Sequence, residues 1–168
     1  LGLPVIVVSS RGTDYRLQTF RELRRNGMDF SRSAIGPPGG YPRPFVPVEN
    51  GRPSRYEDGV FLTTGQHKGR MLYALLRKTG TPLPAVIIAV DDKRKNLDAV
   101  AQTFGPLGVA VHGWRYSGED ESVMHFDAGK AAAQWRAIDG PLRQIQRVLG
   151  PDNYDLSTAV PPAKCRKR

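Results

Sequence analysis

Three polar clusters in this 168-residue chain carry residue types that could act on a phosphate group. A serine hydroxyl can donate to a phosphoryl oxygen, a lysine supplies positive charge, and paired carboxylates offer the hard oxygen ligands that Mg²⁺ takes together with water and substrate phosphate. Phosphoryl transfer depends mainly on such positioning and charge stabilisation. Each cluster follows an apolar segment: Ser9-Ser10-Arg11 after VIVV, Gln66-His67-Lys68-Gly69 after GVFLTT, and Asp91-Asp92 after AVIIAV.

Each cluster also has a structural interpretation that the sequence leaves open. Consecutive serines after a strand are typical of a turn or a cap, and a lysine on a helix is typically solvated. One carboxylate of Asp91 and Asp92 would cap the next helix, with the other in solvent. The acid pair is the strongest signal of the three, because adjacent carboxylates repel each other unless a cation or a donor compensates.

The elements around these clusters alternate between strands and helices. Short, β-branched apolar segments at 3–9, 59–63, 84–90 and 108–112 predict strands, and apolar residues at helical spacing predict the helices that follow the first three. This alternation indicates an open, mostly parallel α/β sheet with helices on both faces. Because right-handed crossovers bring the carboxyl ends of parallel strands to one edge, we expect the three clusters to converge there.

The predicted α/β core spans residues 1–150 and contains one irregular segment. Residues 31–58 hold six prolines and several arginines, and they predict an insertion or small cap with room for a hairpin. A role near a functional site and a plain surface loop are both open interpretations of this segment. Residues 151–168 end in Lys-Cys-Arg-Lys-Arg and predict a basic, disordered tail.

The order of the motifs resembles the haloacid dehalogenase (HAD) superfamily, in which a strand-end Ser or Thr, a lysine and strand-end acids follow one another. The segments VIVVSSRGTDYRLQTFRELRRNGMDF, GVFLTTGQHKGRMLYALL and VIIAVDDKRKNLDAV look like the bacterial HAD-like family known as DUF2608. This resemblance covers residues 3 to about 117. It implies a Rossmann-like fold and a Mg²⁺-dependent phosphatase that acts on a phosphorylated small molecule.

The resemblance implies a role for each polar cluster. Ser9 matches the residue that hydrogen-bonds the phosphoryl group, with Ser10 as the alternative if the register shifts by one. Lys68 matches the lysine that stabilises the nucleophile and the phosphoenzyme. Asp91 and Asp92 match the acids that hold Mg²⁺, directly or through water. The remaining candidates are Arg11, at a position where related phosphatases often carry an arginine that could touch substrate, and Lys93 and Asn96, as supporting residues.

One element of the HAD pattern is absent from the sequence. HAD phosphatases attack with the first Asp of an Asp-x-Asp motif, on a strand upstream of the Ser/Thr strand, and no Asp-x-Asp occurs in the 168 residues. We therefore expect this chain to be inactive alone. A fragment of a longer product is favoured, because the chain enters a core strand within a few residues of Leu1. A degenerate relative is the alternative. Without the missing strand, an apolar sheet edge would be exposed.

The chain is strongly basic, with 25 Lys and Arg against 16 Asp and Glu and a net charge of +9. Nucleic acid is the first partner that such charge suggests, but no helix-turn-helix, RNP-like or zinc motif accompanies it, so steering of an anionic substrate is favoured. The alternative function is a non-catalytic α/β module that binds a phosphorylated ligand, a partner protein or nucleic acid through its arginine-rich surface. No apolar run is long enough for a membrane span. The sequence does not identify the cellular compartment of the protein, and only the family resemblance implies export.

Overall fold

The computed structural model describes residues 2–149, so the predicted tail at 151–168 lies outside the described residues. The chain divides into two compact units between Ser117 and Gly118. The first unit contains β1 (Val7–Ser9), α1 (Arg16–Arg25), β2 (Tyr41–Phe45), β3 (Ser54–Glu57), β4 (Val60–Leu62), α2 (Lys68–Thr79), β5 (Val86–Asp91), α3 (Arg94–Phe104) and β6 (Ala110–Arg115). The second unit contains α4 (Asp120–Met124) and α5 (Ala128–Leu149). The prediction of a mixed α/β structure is confirmed.

The strands of the first unit form two sheets. A four-stranded sheet has the order β1-β4-β3-β2, in which β1 and β4 are parallel and the other pairs are antiparallel. A second sheet holds the parallel pair β5 and β6. The predicted single sheet is therefore divided, because no described strand lies between β1 and β5. The 31–58 segment supplies the hairpin β2–β3, whose proline-containing strand β2 is at the sheet edge, where a missing amide donor is tolerated.

One buried core serves both sheets. The most buried large side chains include Tyr56 and Phe61 from the four-stranded sheet, Met71 and Leu75 from α2, and Phe104 from α3. Val8 of β1 and Ile87 of β5 both pack against this cluster. The two sheets are therefore parts of one packed unit, with the strand-end residues at its edge.

Helices cover both faces of the four-stranded sheet. Tyr56 and Phe61 share the face that packs against α2. Glu57 is the next residue of β3, so its side chain points to the opposite face. There it binds Arg16 of α1 through two hydrogen bonds, one of which is 2.6 Å between Nε and Oε2. Arg16 thus fixes α1 on the far side of the sheet from α2.

Strand β1 pairs with β4 along one of its edges, and no described strand pairs with the other edge. Val7 donates its amide to the carbonyl of Gly59, and Ser9 accepts from the amide of Thr63. Backbone groups alternate between the two edges of a parallel strand, so the amide and carbonyl of Val8 point away from β4. No described strand pairs with them.

The edge of β5 opposite β6 is free in the same way. Ala85 and Asp91 accept backbone hydrogen bonds from the β6 side, so by alternation Ile88 and Val90 direct their backbone groups to the free edge. The side chains of Ile88 and Val90 are 70% and 68% exposed. Among the described strands, none pairs with this edge of β5, and exposed apolar residues beside an unpaired strand edge are uncommon.

Candidate functional site

The loops that follow β1 and β4 form one hydrogen-bonded platform. The amides of Thr63, Thr64 and Gly65 donate to the carbonyls of Ser9, Arg11 and Ser10, at 2.8, 3.0 and 2.8 Å. Thr64 and Gly65 have positive φ angles of 54° and 72°, which turns the chain sharply between β4 and α2. These bonds bring the first two predicted clusters together at the carboxyl ends of the paired strands.

Lys68 opens α2 and reaches the end of β5. Its Nζ donates to Oδ2 of Asp91 at 2.6 Å, and the two side chains are only 14% and 10% exposed. Helices α2 and α3 approach closely at Gly69, where a Cβ would lie 2.1 Å from the carbonyl oxygen of Ala99. This close approach shortens the distance that the Lys68 side chain has to span. Only glycine fits there, so the Gly that follows Lys68 is needed for the helix contact that positions the lysine.

Asp91 is held by three donors. Its Oδ2 accepts from Lys68, and its Oδ1 accepts from the backbone amide of Lys93 at 2.9 Å and from Nδ2 of Asn96 at 2.8 Å. Burial raises the pKa of the Asp91 carboxyl, but the hydrogen bonds from Lys68, Lys93 and Asn96 outweigh that effect and leave the pKa below its ordinary value. Asp91 is therefore a fixed carboxylate that binds the backbone of Lys93, just before α3, and faces a lysine at the same time.

Asp92 has a different environment from its neighbour. The residue is exposed, its carbonyl accepts from Nε of Arg115 at 3.2 Å, and no described residue is recorded as donating to its carboxylate. Among the described residues, no group of three or more His, Cys, Asp or Glu side chains is placed to hold a metal ion. Asp91 and Asp92 offer the type of oxygen donor that Mg²⁺ takes, but two carboxylates are only part of its usual ligand set, and both Asp91 oxygens already accept hydrogen bonds.

The serine cluster is bonded to the loop at 63–65, which leads into Lys68. Ser9 Oγ accepts from the amide of Arg11 at 3.2 Å, as expected for a serine that stabilises a turn. Ser10 is exposed. Nη1 of Arg11 donates to Oγ1 of Thr19 on α1 at 3.1 Å. The structure therefore pairs Lys68 with Asp91 and places Ser9, Ser10 and Arg11 in the adjoining loop. The choice between Ser9 and Ser10 as the phosphoryl contact stays open.

Gln66 is a site residue whose role the sequence pattern does not indicate. Its side-chain oxygen accepts from the amide of Arg52 at 2.9 Å, and its Nε2 lies 3.0 Å from the Arg52 carbonyl and 2.7 Å from the Thr63 carbonyl. Gln66 thus ties the β2–β3 hairpin to the loop that leads into Lys68. The 31–58 segment is therefore attached to the candidate site.

Two surface clefts lie elsewhere in the first unit. Their volumes are about 310 and 250 Å³, and both lie along α1, where Phe20 and Arg24 line each of them. Neither is lined by the strand-end clusters. In the described part of the chain, no helix combines the length and apolar character required to cross a membrane.

The fold and site define an α/β protein with polar side chains gathered at the carboxyl ends of its parallel strands. The model of the family described as "Protein of unknown function (DUF2608)" matches residues 2–146, and the chain belongs to this family. This finding confirms the DUF2608 part of the sequence resemblance. No curated protein and no solved structure matches the chain.

Proposed function

We propose that this chain is the larger part of a HAD-like, Mg²⁺-dependent phosphohydrolase core that acts on phosphate monoesters. The observation that carries the proposal is the contact between Lys68 and Asp91 at the carboxyl end of β5. A lysine and a carboxylate 23 residues apart meet at the edge where open α/β sheets bind ligands. The same edge carries the Ser9-Ser10 loop.

Each residue would contribute to binding or charge stabilisation. Lys68 would neutralise charge on the nucleophile and on the transferred phosphoryl group, and Ser9 or Ser10 would donate to a phosphoryl oxygen. Asp91 and Asp92 would hold Mg²⁺, which when bound neutralises phosphate charge. Arg11 would contact the substrate. Asn96 would keep the Asp91 carboxylate oriented through its 2.8 Å hydrogen bond.

The nucleophile would come from a strand that pairs with the free edges of β1 and β5. Val8 and Ile88 present backbone groups at these edges, and both strands pack on the same core. A parallel strand between them would end at the same edge as Ser9 and Asp91, so an Asp-x-Asp at its end would face Lys68. The 168 residues lack that motif and would be inactive by themselves.

Two observations test this proposal. The DNA upstream of the Leu1 codon should encode, in frame, an apolar segment that ends in Asp-x-Asp; a start signal directly at Leu1 would contradict the fragment version. Inorganic phosphate with Mg²⁺ should bind the chain saturably in calorimetry. Lys68→Met should abolish that binding, whereas Lys130→Met on α5 should leave it unchanged. Equal binding by the two variants would overturn the assignment of Lys68.

A non-catalytic binding module is the second candidate. The arginines exposed on α1 favour it, because Arg21, Arg24 and Arg25 line the 250 Å³ cleft together with Phe20. Such a module would bind a phosphorylated ligand, a partner protein or nucleic acid. Saturable binding of a phosphate ester without turnover, even with the upstream segment restored, would favour this candidate over the hydrolase.

A further inference from the structure

The side chain of Arg52, from the hairpin β2–β3, lies against the loop between β4 and Lys68. Its Nη1 lies 4.0 Å from the point that a Cβ on Gly65 would occupy, and apart from Gly65 and its two chain neighbours no other heavy atom lies within 4 Å of that point. The amide of Gly65 is bonded to the carbonyl of Ser10 at 2.8 Å. The guanidinium therefore lies next to the loop that joins the serine cluster to Lys68.

The backbone at Arg52 is fixed on both sides of its side chain. Gln66 accepts from the Arg52 amide at 2.9 Å and donates to its carbonyl at 3.0 Å. Oγ1 of Thr64 donates to the carbonyl of Pro53 at 2.6 Å. A Cβ on Gly51 would lie 2.7 Å from Oε1 of Gln66, so this contact requires a glycine. A preorganised backbone lowers the entropic cost of binding through the side chain.

The charge of Arg52 is available to a ligand. Arg16 and Arg55 from the same unit both contact Glu57, at 3.8 Å in the case of Arg55. Arg52 is exposed, and no carboxylate among the described residues forms an ion pair with it. Its planar donors can therefore take a carboxylate or a phosphate in a bidentate arrangement.

We infer that Arg52 is a substrate-recognition residue that selects phosphate esters carrying a second anionic group. This inference rests on the proposed function, because it assumes that the phosphate to be cleaved lies between Lys68 and the serine loop. The second carboxylate or phosphate of the substrate then lies over Gly65, where the absent side chain leaves room. In this proposal the hairpin β2–β3 determines which substrates bind, and the residues at the strand ends bind the phosphate that is cleaved.

The test uses two phosphate esters, one with a carboxylate and the other with an uncharged hydroxymethyl group at the same position. Calorimetry in the presence of Mg²⁺ compares 2-phosphoglycolate with 2-hydroxyethyl phosphate on the 168-residue chain. The wild-type chain should bind the glycolate about tenfold more tightly, as one charge-assisted bidentate contact allows. Arg52→Gln should remove this preference and leave the affinity for 2-hydroxyethyl phosphate within about twofold. Arg77→Gln, in the last turn of α2, is the matched control and should keep the preference.

The outcomes separate this inference from the proposed function. Equal affinity of the wild-type chain for the two esters, or an unchanged preference in Arg52→Gln, would overturn the role of Arg52 while the phosphate site stands. Failure of both esters to bind would overturn the two proposals together. Urea midpoints of the variants should match that of the wild type, and a lowered midpoint for Arg52→Gln would identify a structural arginine instead.

Discussion

Lys68 and Asp91 form an ion pair of 2.6 Å that joins the start of α2 to the end of β5. The pair connects the helix that follows β4 of the first sheet to β5 of the second, and no described strand of one sheet pairs with the other. Asp91 is bound by two further donors, so the pair is a fixed part of the site rather than a mobile surface contact. The first predictions follow from this geometry.

Removing either partner should destabilise the first unit. Lys68→Met and Asp91→Asn should each lower the free energy of unfolding by about 2 kcal/mol, because the remaining charge keeps its burial and loses its partner. The double variant should lose less than the sum by at least about 1 kcal/mol, since the two side chains interact directly. Urea denaturation of the four proteins measures this coupling. Additive losses would contradict a direct interaction.

Acid should weaken the fold through the same carboxylate. The pKa of Asp91 is lower in the folded chain than its ordinary value of 3.8, so its contribution to stability is complete above that value and is lost as the pH falls through the lowered pKa. The free energy of unfolding should therefore decrease as the pH falls from 3.8 through the lowered pKa of Asp91, with a smaller decrease in Asp91→Asn. Arg16 also lowers the pKa of Glu57, so Glu57 should still contribute to the loss of stability in acid in the Asp91→Asn variant.

Local sequence patterns predicted the strand ends but not the contacts of the hairpin. The apolar run before Asp91 predicts a strand because its length and β-branching are local properties, although the structure includes Asp91 itself in β5. Residues 31–58 have no such periodicity, so the pairing of β3 with β4 and the contact from Gln66 to Arg52 depend on tertiary folding. The division of the strands into two sheets is likewise a tertiary feature that local periodicity does not encode.

Loss of the Gln66 side chain should loosen the hairpin. Gln66→Ala exchanges the partner of the exposed amide and carbonyl of Arg52 for water, and the expected cost is about 1 kcal/mol. Amide hydrogen exchange should show reduced protection at Arg52, while α3 stays unchanged. Gln102→Ala, at an exposed position of α3, is the control and should change stability by less than about 0.5 kcal/mol. Equal protection in the two variants would contradict the role of Gln66 as a clamp.

A buried tyrosine anchors the beginning of the insertion. The hydroxyl of Tyr56 donates to the carbonyl of Ile35 at 2.9 Å and accepts from its amide at 3.0 Å, and Tyr56 is fully buried. Tyr56→Phe should cost about 2 kcal/mol in thermal or urea unfolding, because two buried backbone groups lose their partner. Tyr116→Phe, at a position that is 54% exposed, should have little effect. A neutral Tyr56→Phe would show that water replaces the hydroxyl.

Hydrolysis by the product of the complete gene tests the central claim most directly. That protein, assayed with Mg²⁺ on p-nitrophenyl phosphate, should release phosphate, and Asp91→Asn should reduce kcat/KM at least about a hundredfold, or about 2.7 kcal/mol of transition-state stabilisation. Asp98→Asn makes the same chemical change at an α3 carboxylate that pairs only with Arg94 among the described residues, and it should retain activity. Undiminished hydrolysis by Asp91→Asn, or a complete product without phosphatase activity, would contradict the phosphohydrolase assignment.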